Sequence, residues 1–359
     1  MADYLTIWMS QELLRKLLDS VGDDAWVAQM TCTTLRGCRP VERAATSTLV
    51  SSVERYQWVT DSLGWPQHQT FQAAASCGRI DIIQYAVDHG CQWDLVTAEN
   101  ACCAAAHSGH LDVVKLAFGS NKWSMDQRCD FGVRICEGAG HGGHLAVLGW
   151  ARTQRFLFRY LAAARAAARQ NHQHVIDWLI GDHLVPMQSD VYICAAAAGG
   201  GHLELLQKLR SRGFRWSVDT CAEAAHGGHV EVVRYARSSG CPWEPVSVLN
   251  EAAHGADAKM LEWLLANGCD ANPVACTRAA QGGRLANLQY LRSLQVGWDA
   301  QVCRWAAWKD DLPMLKWAHE NGCPWTAKDR DDLLRDANRA RRIRSPEMRQ
   351  WIISLVPDI

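Results

Sequence analysis

The sequence lacks most of the features that announce a chemical function. Among 359 residues, Lys and Arg number 37 against 38 for Asp and Glu, a formal charge of -1. No global basic field therefore exists to hold the chain on nucleic acid or anionic lipid. No stretch approaches the ~20 apolar residues that span a bilayer, and even the Ala-rich run from Leu161 is broken by Arg165 and Arg169. The opening residues include Asp3 and Glu12 and no uninterrupted apolar core, so they do not read as a secretory signal, and the expected location is cytoplasmic or nuclear, not secreted. There is no CxxC pair, no Walker loop, no nucleophile elbow, no HExxH and no paired-carboxylate constellation. No residue is accordingly nominated as catalytic, metal-ligating or cofactor-binding, and a non-enzyme is expected. Proline is scarce at ten residues, and apolar residues make up 48%, a composition that can bury a core and lacks the bias of disordered chains.

What the sequence has in excess is Cys (15), Trp (17) and His (14), and a repeat accounts for all three. Length alone suggests about two or three domains, but internal periodicity takes precedence. Aromatic or long residues recur at Trp58, Tyr85, Leu116, Trp150, Trp178, Lys208, Tyr235, Trp263, Tyr290, Trp317 and Trp351, with successive spacings of 27, 31, 34, 28, 30, 27, 28, 27, 27 and 34. The working period is 27 or 28 residues, and the longer intervals are insertions. With these residues as anchors, a small pair stands eleven and ten positions earlier in nine intervals: Ala74-Ala75, Ala105-Ala106, Ala139-Gly140, Ala167-Ala168, Ala197-Ala198, Ala224-Ala225, Ala252-Ala253, Ala279-Ala280 and Ala306-Ala307. Small side chains at a fixed helical phase let helices approach closely, and Ala is the best helix former.

A turn follows, read as Gly-His at Gly109-His110, Gly143-His144, Gly201-His202 and Gly228-His229. The second helix carries its apolar residues on one face, as Val230, Val232 and Val233 do. A further Gly ends that helix at Gly90, Gly213, Gly240, Gly268 and Gly322, and an extended link such as Cys241-Pro242-Trp243 leads on. The unit is helix, turn, helix, extended link.

Cys, His and Trp fall into the same register. Cys102, Cys136, Cys194, Cys221, Cys276 and Cys303 stand fourteen before an anchor, and Cys91, Cys241, Cys269 and Cys323 six after one, so these are expected to be core thiols packing as small hydrophobes. His110, His144, His172, His202 and His229 stand six before an anchor, and His107, His141, His226 and His254 nine before. Periodic placement favours capping or loop hydrogen bonds over catalysis, and over the metal site that HGGH at His141 to His144 and His226 to His229 could suggest. Trp93, Trp216, Trp243, Trp298 and Trp325 stand eight after an anchor, where they are expected to pack a link against the next unit. Trp305 and Trp308 flank the last Ala pair outside this grammar. The face formed by Glu223, Glu251, Arg278, Arg304 and Trp305 is the candidate partner surface.

These units, most clearly AAHGGHVEVVRYARSSGCPW and AAWKDDLPMLKWAHENGCPW, resemble the ankyrin repeat, and in their short, Cys- and Trp-rich form they are similar to ankyrin proteins abundant in some protists and large DNA viruses. The family's TPLH opening is replaced by Asp219-Thr220-Cys221-Ala222. The resemblance implies an all-α fold: an ankyrin-type helix-turn-helix solenoid of about ten short repeats, binding a protein partner on its concave face.

Residues 1–40 stand outside the repeat. Leu13, Leu14, Leu17 and Leu18 make an apolar stripe behind Ser10 as N-cap, Asp23 or Asp24 opens a second helix, and Cys32 and Leu35-Arg36 follow. This order resembles an F-box, without its proline. It implies that Met9, Leu13, Leu14, Leu17 and Leu18 dock a Skp1-like adaptor of a cullin ubiquitin ligase; the alternative is a helical cap on the first repeat. The expected organisation is this segment at 1–40, the solenoid at 41–329 and a capping repeat at 330–359. Arg339, Arg341, Arg342 and Arg344 are read as a solvated face of that cap, with a localisation signal as the alternative. Two functions follow: a protein-binding solenoid serving as substrate receptor of an SCF-type ligase, or a stand-alone scaffold or competitor without ubiquitin coupling.

Overall fold

A computed structural model describes residues 67–90, 93–119, 124–154, 160–182, 184–185, 190–326 and 345–355, with isolated positions 53, 328, 329, 332 and 335. The N-terminal residues Met9, Leu13, Leu14, Leu17 and Leu18, together with Cys91 and the run Arg339 to Arg344, lie outside the described residues. All regular structure among the described residues is helical. The chain divides into two compact units, one up to Ala163 and one from Ala164.

In the first unit, α1 (Gln67–Ser76), α3 (Leu95–Ser108) and α5 (Met125–Gly142) are first helices, followed by second helices α2 (Ile80–Asp88), α4 (Leu111–Gly119) and α6 (Leu145–Thr153). Next in chain order come α7 (Tyr160–Arg169) and α8 (Gln173–Gly181). The second unit continues with the pairs α9 (Tyr192–Gly199) and α10 (Leu203–Ser211), α11 (Val218–His226) and α12 (Val230–Ser238), and α13 (Pro245–Gly255) and α14 (Ala258–Ala266). It ends with α15 (Pro273–Gly282) and α16 (Leu285–Ser293), α17 (Gln301–Trp308) and α18 (Leu312–Glu320), and then α19 (Pro346–Ser354). Within each unit, first helices pack on one another in succession, α1 to α3 to α5 and α9 to α11 to α13 to α15 to α17, and each also packs on its own second helix. This is the nearest-neighbour stacking of a helical-repeat solenoid.

The small pairs are the contact surface of that stacking. Every Ala in the nine pairs has no exposed surface. At Gly140 a Cβ would lie 2.3 Å from the carbonyl oxygen of Ala163, so the helices approach too closely there even for Ala. The second helices bury a recurring triad: Ile82-Ile83-Ala86, Val113-Val114-Ala117, Val147-Leu148-Ala151, Leu205-Leu206-Leu209, Val232-Val233-Ala236 and Met260-Leu261-Leu264. Each large member contributes about 1.5–3 kcal/mol of burial.

Cysteine belongs to this core. Cys102, Cys136, Cys194, Cys221, Cys276 and Cys303 are fully buried, and Cys241, Cys269 and Cys323 nearly so. Burial pushes the Cys194 thiol to about 12 and those of Cys269 and Cys276 to about 11, which removes the thiolate needed for reactivity. Cys241 and Cys323 are held below the usual thiol range by hydrogen bonds from Cys221 and Cys303 of their own repeats.

Two left-handed backbone positions recur along the repeats, except that the turn after α13 has Ala256 in extended conformation. The turn between helices uses Gly78, Gly109, Gly143, Gly201, Gly228 and Gly283, all at φ between 71° and 83°, and its register position is filled by Asn171 and Asp310, both at φ 59°. Asn and Asp tolerate this conformation better than other non-glycine residues. The position ending the second helix uses Gly90, Gly213, Gly240, Gly268 and Gly322, but Gln295 at φ 61° in α16's repeat. Three link tryptophans pack on the next unit through its anchor: Trp216 meets Tyr235 at 6.2 Å, Trp298 meets Trp317 at 5.7 Å and Trp325 stacks on Trp351 at 6.4 Å, while Trp93 meets Phe71 of α1 at 5.0 Å. Arginines two residues after the anchors cover them, Arg210 over Trp216 at 4.0 Å and Arg292 over Trp298 at 4.4 Å.

Gln295 carries left-handed strain that glycine avoids. Gln295→Gly is expected to raise the unfolding free energy by about 0.5–1 kcal/mol, the strain relieved less the entropy glycine loses; urea denaturation measures it, and a loss of stability would contradict the assignment. Among the described residues Asn287 is the one polar residue placed in a second-helix triad, and its amide donates to the carbonyls of Ala253 and Ala256, both at 3.0 Å. Asn287→Leu leaves two buried acceptors without donors and is expected to cost about 2–4 kcal/mol in the same measurement.

Candidate functional site

The ends of the first helices leave carbonyls without intrahelical partners, and the turn histidines answer them. Each stands at the N-cap of a second helix but does not cap it: His144, His202 and His229 make no side-chain cap bond there. Instead Nε2 reaches back one repeat. His110 meets the Ser76 carbonyl at 3.0 Å, His144 that of His107 at 3.0 Å, His202 that of Arg169 at 2.9 Å and His229 that of Gly199 at 3.2 Å. A carbonyl only accepts, so Nε2 donates. The ring packs on the turn glycine, and a Cβ on Gly201 would lie 2.6 Å from His229. The sequence expectation of a loop hydrogen bond holds, with the partner repeat now identified.

The ladder stops after His229. At the same register position Asp257 and Asp311 accept from Met260 N–H and Met314 N–H and so cap their own helices. Arg284 and Asn287 then serve the carbonyls of α13, Arg284 donating to Gly255 at 2.6 Å.

Opposite the buried Ala pair, at roughly 100° per residue, each first helix presents the residues twelve and nine before its anchor. In the second unit these are Glu223 and His226 on α11, Glu251 and His254 on α13, Arg278 and Gln281 on α15, and Trp305 and Trp308 on α17. Four of the five residues expected to form a partner surface thus share one row, and Arg304 stands beside it. They are half-buried, and the charges are paired. Glu223 binds Arg169 at 2.9 Å across Gly199, whose missing side chain leaves room for the bridge. Glu251 binds Arg278, which also donates to Gln281 at 2.8 Å. Arg304 turns to Asp329 at 2.8 Å, and Trp305 meets Trp308 edge to face at 5.1 Å. The structure therefore brings Glu251 and Arg278 together, while Glu223, Arg304 and Trp305 each have other neighbours. At this exposure each pair contributes at most about 1 kcal/mol.

Two residues that periodicity had grouped with the structural histidines behave differently. His226 and His254 make no ladder bond; their rings stack at 5.1 Å, and His226 Nδ1 lies 3.4 Å from a Glu251 carboxylate oxygen. His254 Nδ1 is buried without a hydrogen-bond partner. Burial first, then the charges of Arg278 and His226, hold His254 below the ordinary imidazole range. The sequence signal was Glu251-Ala252-Ala253-His254 on one helix face, with a His one period earlier. It was hidden because the same phase is occupied by His107 and His141, which also meet, at 4.5 Å, with no acidic residue twelve before either anchor.

No protein-family model and no curated protein matches the sequence. Among solved structures the chain is similar to the crystal structure of the pentatricopeptide repeat protein PPR10 from maize, at 13% identity and a TM-score of 0.32, over 92% of this chain and 60% of that one. The chain thus spans less than two thirds of that protein's length, and a likeness at this score bears on neither fold nor function. No helix among the described residues is long and apolar enough to cross a membrane.

The ladder has a measurable consequence. His229→Ala removes the donor to Gly199 together with the ring that fills the turn, and it is expected to lower the unfolding free energy by about 1–3 kcal/mol. An unchanged denaturation midpoint would show that the ladder bond contributes nothing.

Proposed function

We propose that this chain is a non-enzymatic protein-binding module of the ankyrin kind. It takes a protein partner on the first-helix face that includes Glu223, Glu251, Arg278, Arg304 and Trp305, and its N-terminal segment, through Met9, Leu13, Leu14, Leu17 and Leu18, delivers that partner to a Skp1-like adaptor and cullin. The observation that supports the binding face is its construction. The Ala pairs point every first helix the same way, so the residues twelve and nine before each anchor repeat at a fixed phase on α11, α13, α15 and α17. They are free to vary in chemistry because the stacking does not use them. Acidic, basic and aromatic groups then follow one another from repeat to repeat, and Trp305 and Trp308 add the half-buried aromatic area that interface anchors use. The F-box resemblance of residues 1–40 supports the adaptor assignment.

The test uses the full chain as bait in three forms: unchanged, Arg278→Glu with Trp305→Ala, and Leu13→Asp with Leu17→Asp, each checked for folding by circular dichroism. The expected result is a set of captured proteins lost at least tenfold from the face variant, and a Skp1-like adaptor with cullin lost only from the Leu variant. Identical capture by the face variant overturns the binding face. Absence of adaptor from the unchanged chain overturns the ligase assignment and leaves a stand-alone scaffold.

A further inference from the structure

The geometry points to a divalent-cation site of the zinc class on α11 and α13, with His226, Glu251 and His254 as protein ligands and the remaining position open to water. One ligand atom from each of these residues lies within 4.8 Å of the others, the sole such group of three among the described residues. Glu251 and His254 are three apart on α13 and so share a face; His226 comes from α11, the helix packed against it. The stacking of Ala224-Ala225 and Ala252-Ala253 holds these two helices at a fixed separation.

The distances suit a small metal. Bonds of about 2.0–2.1 Å in a tetrahedron place ligand atoms about 3.4 Å apart, and His226 Nδ1 already lies 3.4 Å from Glu251 Oε2. The His254 ligand atom lies within 4.8 Å of both. A second observation points the same way: His254 Nδ1 is buried with no hydrogen-bond partner, a polar atom that the protein itself does not satisfy. Two imidazoles with one carboxylate select zinc and its neighbours over magnesium or calcium, and two histidines with one glutamate form a known three-ligand zinc set. The side chains of His226 and Glu251 are 40% and 32% exposed, so an ion can enter from solvent.

Arg278 does not block the site. It binds Oε1 of Glu251, leaving Oε2 facing His226, and a carboxylate held through one oxygen while ligating through the other is an ordinary outer-sphere arrangement. The HGGH string contributes only its first histidine, because His229 is committed to the Gly199 carbonyl. The inference is independent of any protein partner.

The test is zinc titration of the full chain by calorimetry, after treatment with chelator under reducing conditions. One tight equivalent is expected. His226→Ala and His254→Ala should each weaken it by about 100-fold or more, Arg278→Met by about tenfold through the outer sphere, and His107→Ala not at all. No binding by the unchanged chain, or unchanged binding by both single His variants, overturns the site. Because the chain is rich in thiols, cobalt is bound to the unchanged protein as well: a spectrum of nitrogen and oxygen ligation is expected, and thiolate charge-transfer bands would place the metal elsewhere and overturn the assignment even if a variant fails to fold.

Discussion

Close approach of first helices through pairs of alanines is the constraint on which the other features depend. Each pair buries its methyl groups completely against the neighbouring repeat, and a larger side chain there would force the helices apart at a cost of about 1–3 kcal/mol. That contact fixes both separation and rotation. With rotation fixed, the apolar triad of each second helix must face inward, and the residues twelve and nine before each anchor must face out. Gly140 shows how little slack remains, since the backbone of Ala163 occupies the place a methyl would need.

Close stacking also brings the ends of the first helices, with their carbonyls, against the next repeat. Three chemistries serve these carbonyls. Histidine donates back one repeat from the N-cap position at His110, His144, His202 and His229. At Asp257 the same register position caps its own helix instead, and the carbonyls at the end of α13 take their donors from Arg284, in the histidine's register, and from Asn287. The buried asparagine serves a turn that ends at Ala256 in extended conformation without a left-handed glycine.

The outward row bears no such duty, which leaves it open to binding. Its charges nonetheless do not stand free. Glu223 and Arg169, Glu251 and Arg278, and Arg304 and Asp329 neutralise one another, so the face offers a partner alternating, pre-ordered groups with little net charge. In the middle of this row, where the histidine ladder has just ended, two imidazoles and a carboxylate converge.

Much of this was legible in the sequence. The period, the helix-turn-helix unit, the burial of Cys102, Cys221 and Cys303, the glycine turns and the packing of Trp216, Trp298 and Trp325 on the next unit all follow from residue type at fixed phase, because repetition makes each local preference visible many times. The acceptors of the histidines were not legible, since the bond spans 30 to 37 residues and depends on how one repeat is rotated on the last. Nor were the pairing of Glu251 with Arg278 and the meeting of His226 with His254 and Glu251, each of which joins side chains from two neighbouring first helices. Sequence by itself determined the unit and which side of each helix is apolar, for these are properties of one helix and its periodicity. Only the tertiary structure decided which outward side chains meet, because that is set by the distance and rotation between neighbouring helices, and the alanine contact fixes both.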